Sequence, residues 1–432
     1  MDYRALLQES LDYIEENLSA ELRAAELAKQ AGFSLFHYYR LFRTVVGMPV
    51  MQYILRRRLL HAVYAIRCGS TGIDAALRFG FDTYAGFYKA FQREFGCPPF
   101  VFLRHSRAKR PYRLNLMKEE HMIVTHKMAA DILKHWGLEQ ETISDIYNET
   151  TGAKNDSACY VGSSFVLKYT TDLKKLNTHM QLSTAIESTG LRASSPIPTT
   201  DGRTFIRHGE LYFYLTKRLG TRMTTPQFYQ HDRDAAARFT GEIIGQLHLA
   251  LAALDCSLQE AELYETVRDW ALPKVRTLLP LTDAFCAHYL EVFEALYPAL
   301  PRQIIHRDPN PGNVILCEEG WGFIDFELSE RNVRIYDPCY AASAILSESF
   351  PEDGTFTGQD WLELFRHIMF GYDDVVRLTA EERQAVPYVL FANQLVCTAW
   401  FAEQEKYAEL FETNKRMTLW LADHFDALHL DR

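Results

Sequence analysis

The run from 304 to 327 constrains this 432-residue chain more than any other stretch. It reads Ile304-Ile305-His306-Arg307-Asp308, Pro309-Asn310-Pro311-Gly312-Asn313 and Val314-Ile315-Leu316, then resumes at Gly322-Phe323-Ile324-Asp325-Phe326-Glu327. Each polar loop is flanked by short apolar segments, which read as buried strands that fix the loops. Asp308 supplies a carboxylate able to take a proton from a hydroxyl. The Asn313 amide and the Asp325 carboxylate supply oxygen ligands of the kind Mg²⁺ takes beside phosphate. With each residue type at about one in twenty, His, Asp, Asn, Asp and Phe at five set positions coincide by chance roughly once in a few million positions. A buried histidine among unrelated loop carboxylates is the weaker reading.

A chain of this length exceeds one hydrophobic core, so two or three domains are expected. Hydrophobic residues at 47% and aromatics at 13% describe globular rather than disordered sequence. No apolar run approaches membrane-spanning length, and the N-terminus lacks a signal-peptide pattern. The eight cysteines are scattered without metal-ligand spacing and read as core residues of a reducing cytoplasm. The net charge of −10 hides a division. Residues 1–113 carry 17 Lys/Arg against 10 Asp/Glu, and within them residues 27–113 hold 15 basic and 3 acidic side chains. Residues 114–432 carry 29 against 46. One module is thus expected to face a polyanion and the other not.

The basic part repeats one design. Residues 22–31 form a small-residue helix, Gly32 a turn, and Ser34 caps a second helix bearing Phe36, Tyr39 and Arg40. About 48 residues later Ile73 to Phe79, Gly80 and Thr83 repeat the order ahead of Tyr84, Ala85 and Lys89. Each unit reads as a helix-turn-helix, and a long helix near 50–67 joins them. A solvated helical bundle is the blander alternative, and the repeat within so basic a stretch weighs against it.

Residues 5–105 resemble the DNA-binding domain of AraC-type transcription regulators, including Gly80-Phe81, Phe87-Tyr88-Lys89-Ala90-Phe91, Gly96-Cys97-Pro98-Pro99 and Leu103-Arg104. The resemblance implies double-stranded DNA as partner, with Phe36, Tyr39 and Arg40 reading one major-groove segment and Tyr84, Ala85 and Lys89 the next. Phe36 reads equally as a partly buried anchor. Arg56, Arg57, Arg58 and the basic residues from Arg104 to Arg113 are expected to meet phosphate, or nothing.

Beyond the proline-broken stretch at 107–113 the pattern changes to a helix at 128–136 and then strands. Residues 143–149, a turn at 150–155 and residues 157–161 read as a hairpin, with 165–169 as a third strand ending near Lys168. Gly152 and Asn155 sit in the turn, where backbone amides can approach phosphate, and Lys168 would neutralise it. Together with the 304–327 run, Gly245-Gln246-Leu247-His248 and Tyr336-Asp337, these residues resemble the aminoglycoside phosphotransferase and choline kinase-like superfamily.

That resemblance implies ATP or GTP with Mg²⁺, Asp308 as catalytic base, Asn313 and Asp325 as metal ligands, and Lys168, Gly152 and Asn155 on the nucleotide. Residues 216–219 would read the base, Glu327 would stand behind the metal ligands, and His248 and Asp337 would be structural. Three departures stand out: Arg307 replaces a usual Gly, Pro338 an aliphatic residue, and the helix near 173–189 lacks the carboxylate expected to pair with Lys168. His179 or Gln181 falls nearest that position, with Glu187 further along.

The expected architecture is therefore multidomain: an all-α double helix-turn-helix domain at 1–107, a linker at 108–121, and an α+β bilobal protein-kinase-like domain. Its small lobe spans 122–218 and its mainly helical large lobe 219–432. The functional expectation is a cytoplasmic DNA-binding transcription regulator fused to a small-molecule O-phosphotransferase with an alcohol acceptor. The alternative is a regulator whose kinase-like domain senses a ligand or nucleotide with little catalysis. The acidic second module and the aromatics Trp400, Phe401 and Tyr407 suit a cationic acceptor, although such aromatics are more often core.

Overall fold

The computed structural model describes residues 3–46, 48–95, 98–104, 111, 113–116, 124–147, 154–223, 232–254, 256, 258–317, 320–350, 358–404 and 407–430. Gly152 and the rest of the turn at 148–153 lie outside these. The chain divides into two compact units, Met1–Leu173 with Pro196–Lys217, and Lys174–Ser195 with Arg218–Arg432. No helix among the described residues is long and apolar enough to cross a membrane.

The first unit opens with seven helices: α1 (Tyr3–Glu16), α2 (Ala24–Gln30), α3 (Leu35–Val46), α4 (Val50–Arg67), α5 (Gly72–Arg78), α6 (Tyr84–Phe95) and α7 (Pro99–Arg104). The two expected turns are present, with Gly32 at φ 73° and Gly80 at φ 80°, a left-handed region that glycine enters without strain. Ser34 Oγ accepts from His37 N at 3.3 Å and Thr83 Oγ1 from Gly86 N at 3.0 Å, capping α3 and α6. Tyr38, Phe42 and Val46 recur at helical spacing and bury one face of α3, and Phe87 and Phe91 do the same for α6.

α1 is wired into this core. Ser10 Oγ and the Tyr38 hydroxyl of α3 lie 2.5 Å apart and buried. Arg57 of α4 forms a bidentate pair with Glu15, both side chains nearly inaccessible, and His61 Nε2 lies 3.3 Å from the same carboxylate. This corrects the phosphate expectation for the triple arginine. Arg56 is bound to Glu94 at 2.9 Å, Arg57 to Glu15, and Arg58 donates to the Leu18 and Ala20 carbonyls. Residues 113–116, within the stretch expected to be linker, also pack here. Leu114 and Leu116 are buried in the same core, with Leu116 at 0% exposure.

The remainder of this unit is α8 (His126–Leu133) and strands β1 (Ile143–Tyr147), β2 (Lys154–Val161), β3 (Phe165–Thr170), β5 (Pro196–Ile197), β6 (Ile206–His208) and β7 (Leu211–Lys217). Their sheet runs β1-β2-β3-β7-β5, with β6 folded onto β7. Its core is separate from that of the helices and gathers Leu133, Trp136, Val161, Leu167, Phe213 and Leu215.

The second unit begins with α9 (Leu173–Ser188) and β4 (Arg192–Ala193) and continues through β8 (Thr221–Arg222) and α10 (Arg233–Ala252). Then come α11 (Leu263–Thr266), a π turn into α12 (Leu272–Arg276), α13 (Asp283–Leu296) and the site strands β9 (Arg302–Ile305), β10 (Val314–Cys317), β11 (Gly320–Phe323) and β12 (Glu330–Val333). It closes with α14 (Tyr336–Ser349), α15 (Gly358–Val376), α16 (Ala380–Phe401) and α17 (Ala408–Asp423). β9 pairs with β12, and β10 with β11 and β8, so the apolar flanks of the 304–327 run become the expected short strands. The helical N-terminal region and the α+β kinase-like region match the expected fold class.

Candidate active site and nucleic-acid interface

The polar loops of the 304–327 run meet through His306. This side chain is fully buried, with Nε2 2.8 Å from the Ile324 carbonyl and Nδ1 3.3 Å from the Asp308 amide. A carbonyl only accepts, so Nε2 carries the proton and Nδ1 takes the amide hydrogen. Burial lowers the His306 pKa, which keeps that neutral tautomer, although Asp337 and Asp308 oppose the shift. Sequence reading passed over His306 as a site residue, yet it joins the loop carrying Asp308 to the loop carrying Asp325.

Beneath it lies Asp337 at the start of α14, wholly buried. Its Oδ2 accepts from His306 N at 2.8 Å and lies 2.9 Å from His248 Nε2, while Oδ1 accepts from Arg307 N at 2.9 Å. Tyr372 closes the group, its hydroxyl 2.8 Å from His248 Nδ1. The structural role expected of His248 and Asp337 thus has a specific content. Together with Tyr372 they clamp the backbone of the loop carrying Asp308 from α10, α14 and α15.

Asp308 is half-buried and held from two sides. Asn310 Nδ2 donates to Oδ1 at 2.7 Å, and Asn313 Nδ2 donates to Oδ2 at 3.0 Å and to the Asp308 carbonyl at 2.8 Å. Burial raises the Asp308 pKa above the usual carboxylate range, against the opposing hydrogen bonds and the nearby His306. The Tyr340 side chain also hydrogen-bonds Asp308. A carboxylate offers about four lone-pair directions, so these contacts leave room for one hydroxyl.

With its nitrogen engaged, Asn313 presents Oδ1 as the amide's remaining ligand atom. Ile324 N donates to the Asn313 carbonyl at 3.0 Å, which brings Asp325 beside it. Asp325 is half-buried at φ 68°, with Oδ1 shielded from solvent. An amide oxygen and a carboxylate suit Mg²⁺, which takes one or two protein oxygens and completes its shell with phosphate and water. Among the described residues no three or more His, Cys, Asp or Glu are grouped to hold a metal by themselves.

Arg307, the residue standing where a glycine is usual, adopts φ 71°. That conformation costs a non-glycine residue about 1–2 kcal/mol. Its Nε lies 3.0 Å from Glu330 Oε1, so the charge it brings is answered locally. Glu327 is half-buried in the 3₁₀ turn that follows Asp325.

Lys168 belongs to the other unit, centred in the sheet between Ala158 of β2 and Tyr214 of β7. It is 8% exposed, its Nζ 5.7 Å from the Tyr214 ring centroid. Asn155 accepts from Ser157 N at 2.9 Å and so shapes the start of β2. Thr216 is buried in β7 beside Val166 and Pro196. On α9, His179 is buried with Nε2 3.0 Å from the Ser194 carbonyl, and its ring centroid lies 6.4 Å from that of Phe326. Glu187, the sole carboxylate of α9, is bound to Ser195. Trp400, Phe401 and Tyr407 pack on one another with centroids 5.1–5.6 Å apart, and Trp400 is 40% exposed.

In the helical region Phe36, Tyr39, Arg40, Tyr84, Ala85 and Lys89 are all exposed. Phe36 is 78% exposed, which removes the buried-anchor alternative. Its neighbours Tyr38 and Phe42 take the core role. Two helices thus present apolar, aromatic and basic groups outward from buried faces, as major-groove readers do.

Two stretches of the chain match known protein families. Residues 27–105 match a family model described as a helix-turn-helix domain, and residues 174–366 match the phosphotransferase enzyme family. The HTH-type transcriptional activator AarP of Providencia stuartii is 34% identical over 99 residues, 23% of this chain and 73% of AarP. The transcriptional regulator Rob of Salmonella typhimurium is 30% identical over 158 residues, 34% of this chain and 55% of Rob. Regulatory protein SoxS of the same organism is 32% identical over 100 residues, 23% of this chain and 94% of SoxS. Among solved structures, a microcompartment-associated aminopropanol kinase aligns with TM-score 0.51 at 15% identity, covering 70% of this chain and 99% of the kinase. An amicoumacin kinase in complex with AMP-PNP and Ca²⁺ aligns with TM-score 0.50 at 14% identity, covering 69% and 91%. Both structural likenesses are of fold.

Proposed function

We propose, for a chain that belongs to the AraC-type helix-turn-helix regulators and carries a phosphotransferase-family domain behind that module, a double activity. It binds double-stranded DNA sequence-specifically and transfers a phosphoryl group from a nucleoside triphosphate to the hydroxyl of a small molecule, in the cytoplasm. The single observation that carries the catalytic half is the clamped Asp308. It is fixed by Asn310 and Asn313 and seated on backbone tied to Asp337.

In this reading Asp308 accepts the proton of the acceptor hydroxyl as that oxygen bonds to phosphorus. Asn313 Oδ1 and Asp325 would hold Mg²⁺, and Lys168 with Asn155 and Gly152 the phosphates. When bound, the ion and the triphosphate supply the transferable group and neutralise its charge. Arg307 and Glu327 shape the loops around these ligands. A cationic acceptor would find an aromatic surface at Trp400, Phe401 and Tyr407. For the site itself, Asp325→Ala is expected to weaken binding of Mg-AMP-PNP at least tenfold in calorimetry, about 1.4 kcal/mol. Equal affinity with and without Mg²⁺ in the wild type would overturn the metal assignment.

In the DNA half Arg40 reads guanine and the exposed aromatics contact thymine methyls, with Lys89 on the second segment. Arg40→Ala is expected to cost about 1–3 kcal/mol of specific binding and relax one base position, measured on a selected duplex at fixed salt. Uniform weakening on all sequences would make Arg40 a phosphate contact instead.

A second reading, a ligand sensor with little turnover, is favoured by α9. Its one carboxylate is engaged by Ser195 and its buried His179 turns to Ser194.

A further inference from the structure

The segment 113–116 is docked on α1 by a two-point clamp. Gln8 Nε2 donates to the Leu114 carbonyl at 3.0 Å, and Gln8 Oε1 accepts from Leu116 N at 2.6 Å. One side-chain amide thus satisfies a backbone carbonyl and a backbone N–H of the strap. Leu114 and Leu116 belong to the same buried core as Leu7 and Leu11, and Arg113 lies 3.5 Å from Glu16.

The far end of the connection is anchored as well. Val124 packs against the small-lobe core that contains Leu167, next to Lys168. From Leu116 to Val124 the chain advances eight residues, a reach of at most about 28 Å when fully extended. The strap also sits on the helix that supports the first recognition helix. Ser10 of α1 meets Tyr38 of α3, whose next two residues are the exposed Tyr39 and Arg40.

We propose that this strap couples the two modules, docking on α1 in one state and being drawn off it when nucleotide occupies the phosphotransferase site. The inference rests on the nucleotide-binding reading given above. The docked and released strap is the two-state element that an allosteric link requires. In the docked state Gln8 holds the strap on α1, which Ser10 ties to Tyr38 of α3, and release changes how α3 meets DNA.

The test uses the full chain, Mg-AMP-PNP as probe, and a duplex selected by the wild-type protein from a random library. Hydrogen exchange follows the 113–116 amides while anisotropy follows DNA affinity. Mg-AMP-PNP is expected to raise exchange at the strap and shift the DNA Kd by about fivefold or more. Gln8→Ala should leave the strap fast-exchanging in both states and shrink the DNA shift below about twofold. A second variant inserts about ten Gly/Ser residues between 119 and 120, adding slack without touching the clamp. It should keep the strap protected in both states and lose the DNA shift. A strap protected equally with and without nucleotide in the wild type, or a full DNA shift in the slack variant, would overturn the coupling. Absence of Mg-AMP-PNP binding would instead overturn the nucleotide reading, and this inference with it.

Discussion

Asp337→Ala is expected to destabilise the phosphotransferase unit by roughly 3–9 kcal/mol, from three donors orphaned at about 1–3 kcal/mol each. Those donors are His306 N, Arg307 N and His248 Nε2, all within 2.9 Å of a carboxylate with no solvent exposure. Asp337→Asn is the graded comparison. Its single oxygen can serve one side of the clamp, while its amide nitrogen faces a donor on the other. It should therefore fall between wild type and alanine. Urea unfolding followed by tryptophan fluorescence reads the difference as a midpoint shift. An alanine variant within about 1 kcal/mol of wild type would show that the clamp carries no such load. Turnover should fall further than stability, because the same two amides set the position of Asp308.

The second large effect lies in the DNA-binding region, at Glu15. Burial alone would raise this carboxyl, but the hydrogen bonds from His61 and Arg57 and the Arg57 charge outweigh it and lower the pKa to about 2 from an ordinary 4.5. The folded state therefore holds Glu15 ionised where the unfolded chain would take a proton. That stabilisation is fully present above pH 4.5 and is lost as pH falls toward 2. A shift of this size corresponds to about 3 kcal/mol. Glu15→Gln is expected to cost roughly 3–5 kcal/mol at neutral pH, since Arg57 then keeps a buried charge without its counterion. It should also flatten the acid limb. Hydrogen exchange across Tyr3–Glu16 and Val50–Arg67 in the full chain at stepped pH measures both. A wild-type acid limb that persists unchanged in Glu15→Gln would assign it to other groups.

Much of this architecture is legible in the sequence because the deciding signals are local. Gly32 and Gly80, the capping Ser34 and Thr83, and the helical spacing of Tyr38, Phe42 and Val46 all lie within a few residues of what they control. The loops around Asp308 and Asp325 are legible for the same reason, each framed by its own apolar strands. What escapes is set by partners far along the chain. Arg56, Arg57 and Arg58 look like a phosphate-binding run until Glu94, Glu15 and the Leu18 carbonyl are seen to consume them. Segment 113–116 looks like linker until Gln8, more than 100 residues earlier, takes its backbone. Arg307 looks like added charge until Glu330 answers it. His306 reads as a motif letter, and its role follows only from two hydrogen bonds that link two loops.

The most direct test of the central claim is phosphoryl transfer by the purified full chain. Mg-ATP is supplied with a panel of aminoglycosides, choline-like amines, homoserine and macrolides, and product is read by mass spectrometry. The account predicts a phosphorylated product from at least one acceptor. Asp308→Ala should lower the rate by about 10²–10⁴-fold, the scale of a lost general base, while Mg-AMP-PNP still binds. Product formation that survives Asp308→Ala undiminished would contradict the site. Ligand-dependent changes in DNA affinity with no phosphorylated product from any acceptor would contradict the enzyme and leave the sensor.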